Sequence, residues 1–201
     1  MHAASMELMT QFAAKLPAFF GEDRRLRVLD VGARDVQGGA EGNYRKVFSA
    51  HQYTGMDIEA GDNVDLVVRD GYDWQEIPDR SFDVIISGQA FEHMLYPWLA
   101  MKQIAKKLAP GGYACVIAPS NGFGEHRFPI DCYRYFPDGL SALGTWAKLE
   151  CVESMLQGLD CFAVYKHPAG DHNEEEAVKL APTELLDQGY RTLLNAAGAT
   201  L

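Results

Sequence analysis

A short apolar run, Arg25-Leu26-Arg27-Val28-Leu29-Asp30-Val31-Gly32, closes on an acid, a glycine and a turn. Such a run is the mark of a strand buried on both faces of a parallel sheet, whose carboxyl end delivers its last residues to a ligand. The pattern returns down the chain. Tyr53 to Ile58 reads as a second strand carrying Asp57 at its end, and Val64 to Val68 as a third leading into Asp70-Gly71-Tyr72. Phe82 to Ser87 and Tyr113 to Ala118 read as a fourth and a fifth.

Helical spacing fills the gaps between these runs. Met9, Phe12, Ala13, Leu16 and Phe20 recur at the period of an amphipathic helix over 5–20, with Ser5 as its expected cap and Phe19 and Phe20 expected beyond Pro17. Asn43 to Ala50 reads as a short helix. Pro97 to Leu108 reads as a longer one, opened by Pro97 and stopped by Pro110-Gly111-Gly112. Pro137 to Ala147 is expected to be helical, and Leu149 to Met155 with Cys161 to Lys166 to form a closing hairpin. Strands alternating with helices imply βαβ units. The expected fold class is therefore α/β: a Rossmann-like, doubly wound, seven-stranded and mostly parallel sheet with an antiparallel terminal hairpin. One domain over 1–201 is expected, made of an N-terminal helix (1–24), a core (25–166) and an acidic loop with a C-terminal helix over about Thr183 to Ala196 (167–201).

Charge and cysteine usage narrow the function classes. The net charge of −10 argues against holding nucleic acid through phosphate contacts. No apolar run approaches the roughly 20 residues that a bilayer needs, so no membrane span is expected. The amino terminus lacks the pattern of a secretion signal. Four cysteines at 115, 132, 151 and 161 include no CxxC pair, which argues against zinc or a disulfide framework, so no metal site is expected and reduced thiols in a cytoplasmic protein are the simpler expectation.

The chemistry gathers at strand ends. Asp30, Asp57 and Asp70 close three successive strands, and in an open α/β sheet ligands bind beyond those ends where the winding reverses. An acid after the second strand suits paired hydrogen bonds to the two hydroxyls of a ribose. Asp70 beside Gly71 can accept from an adenine amino group. A nicotinamide-dinucleotide site would also want a ribose-binding acid, but its glycine turn needs glycines that Ala33-Arg34-Asp35-Val36 does not supply.

Four blocks, Val28-Leu29-Asp30-Val31-Gly32, Gly55-Met56-Asp57-Ile58, Ser81-Phe82-Asp83-Val84-Ile85-Ile86-Ser87 and Leu108-Ala109-Pro110-Gly111-Gly112, stand in an order that resembles class I S-adenosylmethionine-dependent methyltransferases. The small single-domain group often called type 11 looks closest. The resemblance covers about residues 25–165. It implies that S-adenosylmethionine is the cofactor and S-adenosylhomocysteine the product. Gly32 would let the backbone approach the methionine moiety, with Asp30 beside it ordering the loop or reaching the amino group through water. Asp57 would bind the ribose hydroxyls and Ile58 would lie against adenine. Asp70 and Gly71 would lie near the adenine edge, and Ser87, Gly88 and Gln89 would border the methionine end. The departure is the glycine turn, of which only Gly32 remains. Arg34 either pairs with the cofactor carboxylate or salt-bridges Asp35 or Asp57.

Two segments are candidates for the acceptor side. In Gln89-Ala90-Phe91-Glu92-His93, His93 is either a general base for a hydroxyl acceptor or a packing residue at a helix start. In Ser120 to Phe136, His126 is a second candidate base. Arg127 and Arg134, with Asp131 and Tyr133, either bind an anionic substrate or form an internal ion network in a long loop. The expected partner is a small-molecule methyl acceptor, with an oxygen favoured over an amine by the histidines. The alternative is a non-catalytic protein that keeps the fold, for example as a partner subunit.

Overall fold

The structure, a computed structural model, describes residues 3–36 and 43–170. They fall almost wholly within one compact unit, Met1–Pro168. The acidic stretch and C-terminal helix expected after 170, and the glycines at 38 and 39, lie outside the described residues.

Seven strands form one sheet. They are β1 (Arg27–Val31), β2 (Gln52–Asp57), β3 (Leu66–Val67), β4 (Phe82–Gly88), β5 (Leu108–Pro119), β6 (Glu150–Gln157) and β7 (Asp160–Lys166). Their order is β3-β2-β1-β4-β5-β7-β6. The first five pair in parallel, and β7 pairs antiparallel with both β5 and β6. This is the doubly wound sheet with an antiparallel terminal hairpin that the sequence pattern predicts.

Strand periodicity divides the core between two faces. Val28, Val84, Ile86, Cys115, Ile117, Phe162 and Val164 face the helix α1 (Ala3–Phe20), which contributes Leu8, Met9, Phe12 and Leu16. Each of these four helix side chains is at most 2% exposed, and burial of each stabilises the fold by roughly 1.5–3 kcal/mol before entropy is counted. Leu29, Val31, Ile85, Ala114, Val116, Ala118, Ala163 and Tyr165 face the other way. There they meet α2 (Pro97–Lys107) through Ala100, Met101 and Ile104, and α3 (Pro137–Trp146) through Leu140.

Several local expectations give way to tertiary contacts. Ser5 lies inside α1 rather than capping it, because its buried Oγ bonds the Tyr44 hydroxyl at 2.6 Å. The helix carries Pro17 and runs on through Phe19 and Phe20, with Phe19 stacked 4.1 Å from the Tyr113 ring. Asn43–Ala50 forms a single 3₁₀ turn, Tyr44–Lys46, followed by turns. Asn43 caps it by accepting from the Arg45 amide. The Leu108–Gly112 block does not separate α2 from β5. It is the start of β5, and the register jumps from Phe82↔Leu108 to Val84↔Tyr113 around a bulge in which Gly111 takes φ +75°.

At the amino end of the sheet Asp83 is a buried hub. It accepts from the Arg27 amide at 2.9 Å and from the side chains of Arg27 and Arg24. Burial alone pushes its carboxyl up. The hydrogen bonds from Arg27 and the charges of Arg27 and Arg24 outweigh this and hold it below its ordinary value. A carboxyl depressed in the folded state contributes stability above the unfolded-state pKa and loses it as the pH falls through the folded value. Asp83→Asn should therefore lower stability at pH 7 and flatten the loss between pH 7 and about 3. Urea midpoints measured across that range would show it, and parallel curves for both proteins would refute it.

Candidate active site

The winding reverses between β1 and β4, because β2 and β3 lie on one side of β1 while β5 lies beyond β4. A crevice outside the carboxyl ends of these strands is the place where such a sheet binds ligands. Gly32, Asp57 and Gly88 sit there at the ends of β1, β2 and β4.

Gly32 takes φ +76°, and a Cβ on it would lie 2.5 Å from that of Ala90. Its position needs glycine on both counts. The loop that follows is pinned to the β2–β3 side by its own amides. Gly32 and Ala33 both donate to the Met56 carbonyl, Arg34 to the Asp57 carboxylate and Asp35 to the Asp62 carbonyl. This explains how the turn dispenses with further glycines over 33–36: its backbone spans the end of β2 in ordinary conformations. The guanidinium of Arg34 pairs with Glu59 and lies against Gly61, on the same side.

Asp30 is 2% exposed. Burial pushes its carboxyl up to about 7, against the lowering effects of the Tyr53 hydrogen bond and the Arg45 charge. Tyr53 in turn accepts from Asn63, whose amide nitrogen also donates to the Ala33 carbonyl at 2.8 Å. The chain Asp30–Tyr53–Asn63–Ala33 thus ties the strand to its loop. Neither Tyr53 nor Asn63 stands out in the sequence, since the contact joins separate elements.

Asp57 is set for recognition. One carboxylate oxygen accepts from the Arg34 amide and the other from the Glu59 amide, each at 3.2 Å. Each oxygen keeps a further lone pair. Ile58 beside it is 61% exposed, unusual for a large aliphatic side chain, and Gly71 lies against its Cγ2. Asp70 accepts from the Tyr72 amide and shapes that turn. The Ser87 side chain is buried and donates to the Val31 carbonyl, so it joins β4 to β1 rather than facing the crevice. Gln89 takes φ +58°, a strained conformation for this residue, and donates to Asp160 at 3.0 Å.

Beyond β4 and β5 a second group assembles. The 3₁₀ turn Phe91–His93 carries Glu92, which is fully buried. Burial pushes its carboxyl up to about 8. Its Oε1 lies 3.3 Å from His126 Nε2 and 3.6 Å from His93 Nε2. The loop from 120 to 136 brings His126 here and is stapled by Arg134, whose five N–H groups all have acceptors: two bonds go to Asp131 and one each to the carbonyls of Phe123, Gly124 and Tyr133. Asp131, held well below its ordinary range by the Arg134 bond, also accepts from the His126 amide. Asp131 and Arg134 are therefore an internal network and leave no guanidinium donor for a substrate anion. Arg127 pairs only at the surface, with Glu125. Tyr133 donates to the Leu95 carbonyl. A concavity of about 360 Å³ near Leu16, Arg24 and His51 lies at the opposite, amino end of the strands, away from both groups.

Sheet order and crevice together define the class I S-adenosylmethionine-dependent methyltransferase fold. The methyltransferase-domain family matches over residues 5–153, and the chain belongs to that family. Among solved structures, 1,6-didemethyltoxoflavin-N1-methyltransferase of Burkholderia thailandensis, with bound 1,6-didemethyltoxoflavin and S-adenosylhomocysteine, is similar with a TM-score of 0.62. It is 17% identical over 82% of this chain and 80% of that one. A SAM-dependent methyltransferase from Aquifex aeolicus gives 0.57 at 15% identity, over 77% and 89%. The [4+2]-cyclase SpnF gives 0.60 at 15%, over 80% and 81%. These likenesses concern the fold. No curated protein sequence matches. Among the described residues no helix is long and apolar enough to cross a membrane.

Proposed function

We propose that the chain binds S-adenosylmethionine across the ends of β1, β2 and β4 and methylates a hydroxyl of a small polar or anionic molecule, such as a metabolite or sugar. The residues present fit the cofactor. Gly32 turns the chain with φ +76° hard against Ala90, leaving no side chain at the end of β1, Asp57 offers two oriented oxygens for ribose hydroxyls, and the bare Ile58 with Gly71 offers an apolar ledge for adenine. When bound, the cofactor supplies a methyl group already activated on a sulfonium.

The observation that carries the acceptor reading is the Glu92–His93–His126 group beside this crevice. An imidazole there can take up the proton of a hydroxyl, which an amine already neutral would not require. His126 is the more accessible of the two, at 37% side-chain exposure against 16% for His93. The Asp131–Arg134 staple orients its loop. Arg127 at the rim offers a contact for an anionic acceptor, and the net charge of −10 supports a small molecule over nucleic acid.

A non-catalytic protein of the same fold is the second reading, favoured by one observation: the amides of Gly32 to Asp35 are spent on the end of β2 and on Asp62 beyond it. Calorimetry with S-adenosylhomocysteine, followed by methyl-labelling of a cell extract split into small-molecule and macromolecular fractions, separates the two. We expect binding and a labelled small molecule. The absence of binding heat at millimolar cofactor would sink the enzyme reading, and label confined to macromolecules would sink the acceptor class.

A further inference from the structure

Glu92, His93 and His126 present an unusual set of groups to one another. The two Glu92 oxygens are buried and accept no hydrogen bond, which is costly for an ionised carboxylate. The histidines face it with defined nitrogens. His93 Nδ1 lies 2.5 Å from the Ile130 carbonyl and His126 Nδ1 lies 3.3 Å from the Gly124 carbonyl. A carbonyl only accepts, so each Nδ1 carries the hydrogen and each neutral ring keeps a lone pair on Nε2, which lies 3.3 Å (His126) and 3.6 Å (His93) from Glu92 Oε1. Three potential ligand atoms, all within 4.8 Å of one another, converge here.

We propose that Glu92, His93 and His126 bind a divalent first-row transition-metal ion, with both imidazoles ligating through Nε2. Two imidazoles and one carboxylate are a donor set that suits zinc, cobalt or iron in the divalent state and leaves coordination positions open. The surroundings resemble an outer shell. Backbone carbonyls hold both Nδ1–H groups, as is usual for metal-bound histidines. The Cys132 amide donates to the Glu92 carbonyl at 2.7 Å, and Asp131 fixes the His126 amide, so both sides of the site are tied together. The partial exposure of His126 gives the ion a way in. Bound there, the ion would occupy the Nε2 lone pairs of both imidazoles, so in the loaded protein its open positions, not a free imidazole, would meet the acceptor oxygen. The claim that it binds is independent of methyl transfer; only this role rests on the function proposed above.

Cobalt titrated into the full chain, followed by its visible d–d absorption, tests the site, with zinc competition read by calorimetry. The expected result is one ion per chain bound more tightly than about 10 μM. Glu92→Gln and His126→Ala should each weaken it more than tenfold, with circular dichroism and melting curves showing that both variants fold. Cys132→Ser, which removes the nearby exposed thiol, should leave affinity unchanged. The proposal is overturned if the native chain binds no such ion, if Glu92→Gln binds as tightly as the native chain, or if Cys132→Ser abolishes binding. S-adenosylhomocysteine affinity measured on the same preparation keeps a failure of this site distinct from a failure of the cofactor reading.

Discussion

Asp57→Ala is expected to weaken S-adenosylhomocysteine binding by about 100-fold or more while the protein stays folded. The carboxylate ends β2, where Met56 and Asp57 pair with Leu66 and Val67 of β3. It is oriented before any ligand arrives, because the amides of Arg34 and Glu59 each hold one of its oxygens. A ribose with two adjacent hydroxyls would then meet two charged acceptors that need no rearrangement. Hydrogen bonds to a charged group are each worth about 1.5–3 kcal/mol, so losing two exceeds the 2.7 kcal/mol that corresponds to 100-fold. The fold should suffer less, since Asp57 is only half-buried and the released amides lie near the surface. Asp57→Asn keeps one acceptor oxygen and should fall between the two. Calorimetry reads all three proteins, and an alanine variant of unchanged affinity would remove Asp57 from the ribose role.

Much of this architecture is legible in the sequence because buried parallel strands leave a one-dimensional signature. Val28-Leu29 before Asp30 and Val84-Ile85-Ile86 before Ser87 are apolar on both faces, and each occupies a central strand. The acids and glycines at strand ends are legible for the same reason, since a strand's end fixes where its next residue must lie. What escapes the sequence depends on partners far away in the chain. The segment after Asn43 has the apolar spacing of a helix, yet the Tyr44 ring is held by Ser5 of α1 and packs against Gly88 of β4, which favours a tight 3₁₀ turn. The course of Ala33–Asp35 depends on acceptors at Met56, Asp57 and Asp62, which no local pattern announces.

The candidate site divides along the same line. His93 and His126 are visible as residue types, but that they share Glu92 emerges only when the loop after β5 folds back over the Phe91–His93 turn. Glu92 itself, flanked by Phe91 and His93, gives one signal in retrospect: an acid next to a histidine at the end of a buried strand. Arg134 is the reverse case. Its charge admits either an anion clamp or an internal ion network, and only the full set of acceptors around it shows every donor engaged within the loop.

Gly88→Ala is expected to destabilise the protein by about 2–4 kcal/mol and to impair cofactor binding with it. A Cβ at Gly88 would lie 1.9 Å from the Tyr44 hydroxyl and 2.6 Å from two carbons of its ring, distances that real side chains do not reach. Tyr44 cannot step aside cheaply. It is fully buried in the cluster with Leu8, Met9 and Phe12, and its hydroxyl is bonded to Ser5. Forcing the ring away costs about 1–3 kcal/mol in overpacking, and losing the buried hydrogen bond adds about 1 kcal/mol. Shifting β4 instead would break its pairing with Ile117 and displace Gln89, at the edge of the crevice. Either response carries the strain from the α1 face of the sheet to the crevice, so stability and affinity should fall together. Gly139→Ala is the control. Gly139 lies inside α3 with nothing near its would-be Cβ, and the same added methyl there should stabilise the protein by about 0.5–1 kcal/mol. Urea midpoints for the two variants should move in opposite directions, and a Gly88 variant as stable as the native chain would mean that Tyr44 is not the fixed wedge between α1 and β4 that its contacts describe.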